Sequence, residues 1–273
     1  MKSLNQQQTL AQIDQIGLER ASQPAFGYLD VAANTRYDWH QHSCHQLMYS
    51  FQGSAQVEVG SRRYLLPPQR AAWISAGTLH RTTIGDLAGA SIYFQPTLVP
   101  WTVEPISVFA AQPLLRAMVH EAMRWESAPI YADDLREPFF RTLTLLCRDW
   151  MQQCDPFWLP SSNDAQLARA IDYTLQNLQD ATVQRASESA AMSERSFRRH
   201  FVAALGLSWR DFLIKARLLQ SLELLSRPDS RITDVASQIG FDSPSSFSKA
   251  FGTFAGETPS SYQNRVLKDA PQE

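Results

Sequence analysis

Between about Pro24 and Pro100 the apolar residues come in short runs, among them HQLMYSF, AQVEVG, RRYLLPP, RAAWISAG and GASIYF, separated by Gly, Pro and Ser. Runs of this length between turn residues predict strands, and many short strands at this spacing predict a sandwich or barrel. From Pro113 the period changes. In PLLRAMVHEAMRWE the residues Leu114, Leu115, Met118, Val119, Ala122 and Met123 recur at three and four, the spacing of one helix face. DDLREPFFRTLTLLCRDWM predicts a second helix, with Asp133 as its N-cap and Pro138 early enough to be accommodated. The Pro- and Ser-rich CDPFWLPSSND reads as a linker. From Asp164 onward every segment has helical spacing, with breaks at Gly206, near Pro228, at Gly240 and at Gly256.

Two of those helical segments are copies of one element. SFRRHFVAALG begins at Ser196 and SFSKAFGTFAG at Ser246, with Ser, Phe, Phe and Gly in register. Each follows a short helix, TVQRASESAA or ITDVASQIGF, and a tight turn. Thr182 and Ser193 are candidate N-caps in the first copy. Phe197 and Phe201 share one helix face, as do Phe247 and Phe251, while Arg195, Arg198 and Arg199 fall on the opposite side. The second turn is one residue longer, with Gly240 where the first copy has Ala191. Two helices joined by a short turn, the second with a polar outer face, make a helix-turn-helix. Arg195, Arg198 or Arg199 can pair bidentately with guanine O6 and N7, and Ser196 opens the same helix. Ser245, Ser246 and Lys249 can meet phosphates or base edges. Between the copies, a helix from Ser208 to Leu225 would be about 27 Å long, enough to set two recognition helices about one DNA turn apart. Arg217 on that helix is a candidate for a helix-linking salt bridge or for a plain surface position.

Charge alone does not point to DNA. The net charge is −2, and residues 161–273 carry 13 Lys and Arg against 13 Asp and Glu. A nucleic-acid partner therefore rests on where the charges sit. Cys44, Cys147 and Cys154 form no paired framework, which suits a reducing compartment. There is no basic-then-apolar leader and no run near the roughly 20 apolar residues that span a bilayer. A cytoplasmic protein without membrane contact is expected.

From about Asp164 to Arg265 the chain resembles the AraC/XylS-type transcriptional regulators. The second copy carries most of the likeness: ITDVASQIGF, SFSKAF and then GETPSSYQNR, with Gly256, Pro259 and Tyr262 at the family's closing motif. The resemblance implies that the first unit reads much of the DNA site through Arg195, Arg198 and Arg199, and that Ser245 and Lys249 are contacts of the second. Pro244 stands where many members carry a polar residue, and Ala191 where a turn Gly is usual.

The N-terminal part holds a different candidate chemistry. YDWHQHSCHQLMYSFQG places His40 and His42 on one side of an extended segment, and WISAGTLHR brings His80 from a later strand. Three imidazoles and an oxygen ligand suit zinc, iron or copper. These segments resemble the two motifs of the cupin barrel, with His40, His42, Gln46 and Gly53 in the first and Ser75, Gly77 and His80 in the second. Gln46 replaces a carboxylate and Ser75 a proline. Three readings stay open here: a transition-metal site, an effector pocket without metal, and structural histidines.

The expected architecture is a two-domain α+β chain. Residues 20–105 form a cupin-like β-barrel sensor, 106–155 a helical connector that buries its apolar stripe in a homodimer, and 156–163 a linker. Residues 164–266 form an all-α domain with helix-turn-helix units at about 182–205 and 231–254. The expected function is effector-responsive, sequence-specific regulation of transcription, with double-stranded DNA, a small molecule and RNA polymerase as partners and no catalytic residues. The alternative is a metal-dependent cupin oxygenase or isomerase with a helical appendage.

Overall fold

A computed structural model describes residues 1–18, 23–101, 104–125, 133–153 and 157–268, with backbone alone for 30–33 and 86–87. Cys154 and residue 156 of the expected linker lie outside these. The chain divides into two compact units, Met1–Gly60 with Tyr64–Phe157, and Trp158–Glu273 with Ser61–Arg63.

The first unit is a sheet organised round one long strand. Its elements are β1 (Lys2–Ser3), α1 (Gln6–Ile16), β2 (Ala25–Arg36), β3 (His45–Gln52), β4 (Ala55–Val59), β5 (Arg62–Leu66), β6 (Arg70–Ile74), β7 (His80–Phe94) and β8 (Ile106–Ala110). One edge of β7 pairs antiparallel with β2. Its other edge pairs with β4 at the His80 end and with β3 at the Phe94 end. The sheet then continues through β6 to β8. In β3 the residues from His45 to Phe51 carry buried or half-buried side chains on both faces, so the run clusters instead of alternating.

Two helices cover one face, α2 (Pro113–Ala122) and α3 (Arg136–Trp150). Leu115, Val119 and Ala122 of α2 and Phe140, Leu143 and Cys147 of α3 enter one core with Leu47, Trp73, Ile92 and Phe94 of the sheet. Trp73 stacks on Phe94 at 5.2 Å, and Phe94 meets Phe140 edge-on at 6.0 Å. Of the stripe expected to face a second copy, Leu115, Val119 and Ala122 thus cover the sheet of their own chain, while Leu114 is exposed. Asp133 accepts a hydrogen bond from the Leu135 N–H just before α3 begins, near the expected cap.

On the opposite side sits α1, a helix not anticipated from the sequence. A capping box between Asn5 and Gln8 starts it, and Gly17 at φ 82° ends it. Ile13 packs with Leu18, Phe26, Cys44 and Tyr93.

The second unit is helical apart from β9 (Trp158–Pro160), a short strand inside the expected linker. Its helices are α4 (Ala165–Gln176), α5 (Val183–Ser189), α6 (Glu194–Leu205), α7 (Trp209–Leu225), α8 (Ile232–Gln238), α9 (Pro244–Ala255) and α10 (Pro259–Lys268). Helix α7 is the axis. Its buried residues, including Phe212, Leu213, Ala216, Leu219 and Leu222, occupy more than one face, so helices pack round it. Among the described residues Arg217 makes no helix-linking salt bridge. Its guanidinium donates to the carbonyls of Leu178 and Gln179 at 2.8 and 3.1 Å, past the end of α4.

Candidate DNA-binding face and effector pocket

The two helix-turn-helix units are built alike from α5–α6 and α8–α9. Phe197 and Phe201 are fully buried with ring centroids 5.2 Å apart, and Phe201 meets Phe212 of α7 edge-on. Phe247 and Phe251 repeat the pair at 5.6 Å, flanked by Phe241 and by Tyr262 of α10. The caps of the second helices repeat as well. Ser193 Oγ accepts from the Ser196 N–H and Ser243 Oγ from the Ser246 N–H, while Thr182 Oγ1 caps α5 by accepting from the Arg185 N–H and Arg231 starts α8 without a side-chain cap. Gly206 and Gly256 both close their helices at φ 75°.

The faces opposite the phenylalanines differ. Arg195, Arg198 and Arg199 are exposed on α6, and Ser245, Ser246 and Lys249 on α9. Arg198 pairs with Glu194 one turn back at 3.3 Å. The side chains of Arg195, Arg199 and Lys249 make no hydrogen bond or ion pair among the described residues. Ser196 is half-buried beside its cap, and the Ser246 hydroxyl donates to the Ser243 carbonyl at 2.8 Å.

In the sheet unit His40, His42 and His80 converge. His40 and His80 form an isolated antiparallel bridge, their rings 4.2 Å apart, and His42 lies 5.2 Å from His80 and 6.3 Å from His40. All three are buried. Each ring is fixed through Nδ1 to a backbone carbonyl: His40 to Asp38 at 2.8 Å, His42 to Cys44 at 2.7 Å and His80 to Thr78 at 2.9 Å. Gln46 bridges His42 Nε2 at 3.2 Å and the Ser91 hydroxyl at 2.9 Å. Ser75, where the motif has proline, donates its N–H to the Pro105 carbonyl, a bond proline lacks. His45 stands apart, accepting from the Ala76 N–H and stacking near Trp73. Burial holds His40 below the ordinary histidine range and His80 well below it, with the neighbouring imidazoles adding to the effect. The histidines, Gln46, Thr82, Tyr28, Tyr37 and Tyr93 line a cleft whose other walls are Ile13 and Ile16 of α1, Leu18, Met48 and Ile84. The contribution of α1 had no precursor in the motif reading, because the helix is remote in sequence and mostly polar.

The model of the AraC-like ligand binding domain matches residues 25–195, and that of a helix-turn-helix domain matches residues 186–265. The chain belongs to the AraC-type transcriptional regulators. The HTH-type transcriptional regulator NimR of Escherichia coli K12 is 26% identical over 239 residues, spanning 85% of this chain and 84% of NimR. Among solved structures, the DNA-binding domain of AdpA in complex with a target DNA is 30% identical with a TM-score of 0.37, covering 40% of this chain and 98% of that one. ToxT from Vibrio cholerae with a bound unsaturated fatty acid is 12% identical with a TM-score of 0.39, covering 91% and 97%.

An AraC-type chain of this kind is a DNA-binding regulator with a ligand-binding domain, and its relatives are regulators and not enzymes. The cupin-enzyme alternative is thereby set aside. The metal reading, one of the three left open, does not fit the residues present. Gln46, at the carboxylate position, is a neutral amide engaged by His42 and Ser91. Among the described residues no group of three or more His, Cys, Asp and Glu is arranged to hold a metal ion. No helix among them is long and apolar enough to cross a membrane.

Proposed function

We propose that this AraC-type regulator reads two successive major grooves with α6 and α9 and changes its DNA affinity when a small molecule enters the histidine-lined cleft. One observation carries the DNA reading. Two helices rest on identical buried Phe pairs, and their outward faces hold Arg195, Arg199 and Lys249, cations that no side chain among the described residues neutralises. Helix α7, 17 residues long, extends about 25 Å between the two units, in keeping with grooves one turn apart. Arg195 and Arg199 read base edges, with Arg198 joining them once it leaves Glu194. Lys249, Ser245, Ser246 and Ser196 set the register on phosphates. The cleft lined by His40, His42, Gln46 and His80 is the effector site, and the effector acts by binding one DNA-affinity state better than the other.

The protein acts as a homodimer with RNA polymerase as a further partner. Sedimentation of the full chain checks the dimer. Sites selected from genomic DNA test the main reading. Arg199→Ala should cost about 1–3 kcal/mol on a selected site and leave random DNA unchanged. Equal losses on both would assign Arg199 to phosphate. A double Arg195→Ala, Arg199→Ala protein that still discriminates its site would sink the assignment of α6 as the reader.

A further inference from the structure

The carbonyls that hold the three histidines also decide what the cleft offers a ligand. A carbonyl oxygen only accepts, so Nδ1 of His40, His42 and His80 must each carry the proton. A neutral ring protonated at Nδ1 leaves a lone pair on Nε2. For His42, Nε2 faces Gln46 Oε1 at 3.2 Å and the Gln46 NH2 donates to the Ser91 hydroxyl at 2.9 Å, so that ring is engaged within the protein at both nitrogens. For His40 and His80, Nε2 has no hydrogen-bond partner among the described residues. Both residues line the cleft, and no Lys, Arg, Asp or Glu is among its described lining residues.

Resting on the reading of this cleft as the effector site, we propose that its effector is a small, uncharged, largely apolar molecule carrying an O–H or N–H donor, which it gives to Nε2 of His80 or His40. The apolar walls from α1 and the sheet take the rest of the molecule. An anion would bring acceptors against the lone pairs of His40 and His80, with no Lys or Arg among the described lining residues to offset them. Burial keeps the two rings neutral near neutral pH, which preserves their lone pairs.

Phenol, anisole and benzoate form a probe set of similar size that separates a donor, a capped donor and an anion. Saturation-transfer NMR on the full chain near neutral pH should rank phenol about tenfold above both others, the scale of one hydrogen bond left unmade. His80→Phe, which keeps a ring and removes the acceptor, should erase that preference while still binding the probes. His40→Phe provides the same test if the first variant does not fold. The proposal is overturned if phenol gives no signal, if anisole binds as well as phenol, or if benzoate binds best. Stoichiometric Zn²⁺ or Ni²⁺ uptake that His80→Phe abolishes would equally overturn it, since the lone pairs would then belong to a metal. DNA selection with the same preparation is scored separately. Loss of sequence preference there would fault the regulator reading and leave the probe ranking to stand or fall by itself.

Discussion

Ala191 and Gly240 hold the same place in the two turns and meet different constraints. Ala191 has φ 54°, in the left-handed region that disfavours a Cβ, while Gly240 has φ 82°. A Cβ on Gly240 would run into the Gln179 carbonyl and the Arg217 guanidinium. Ala191→Gly should therefore stabilise the protein by up to about 1 kcal/mol, relief of strain less the added freedom of the unfolded chain. Gly240→Ala should cost about 2 kcal/mol or more, strain and overlap together. Urea melts of both variants check the pair, and a tolerated Gly240→Ala would show that Arg217 does not press on this turn. The buried histidines make a second prediction at this scale. His40 and His80 hold protons more weakly folded than unfolded. As pH falls below about 6.5 the unfolded chain takes up protons that the folded rings refuse. Stability should thus be level above that value and decline through the folded pKa values below it. A urea midpoint that is the same at about pH 7.5 and pH 5.5 would contradict the burial of both rings.

At the scale of elements, the recognition helices were legible because their instructions are local. An i, i+4 Phe pair, a Ser cap and a terminal Gly lie within a dozen residues, and the structure uses each for that purpose. Phe251 is fully buried against Phe247 and Tyr262. Phe251→Ala should destabilise the helical unit by roughly 3–5 kcal/mol, and an unchanged melt would refute the packing. Helices α2 and α3 were equally legible as helices, and their period named the residues they bury. What they bury against was not legible. An amphipathic stripe specifies an apolar neighbour without saying whether the neighbour is a second copy or the chain's own sheet. Helix α1 escaped notice because only Thr9 and Ile13 within it are buried, too few to set a period.

For the molecule as a whole, each unit has its own core, one round Trp73 and Phe94 and the other round α7. Unfolding in urea should proceed in two transitions. An effector should raise chiefly that of the sheet unit, and a selected DNA site chiefly that of the helical unit, since each ligand stabilises most what it binds. One coincident transition for all probes would show that the two units unfold as a single cooperative body. The sequence by itself determined the two textures, the duplicated helix-turn-helix and the outward place of its arginines, because these depend on periods and caps within a few residues. Tertiary structure alone decided that Leu115, Val119 and Ala122 face the sheet of their own chain, that α1 walls the histidine cleft, and that Arg217 donates to the carbonyls of Leu178 and Gln179. Those outcomes depend on atoms brought together from distant parts of the chain, and no period along the sequence encodes them.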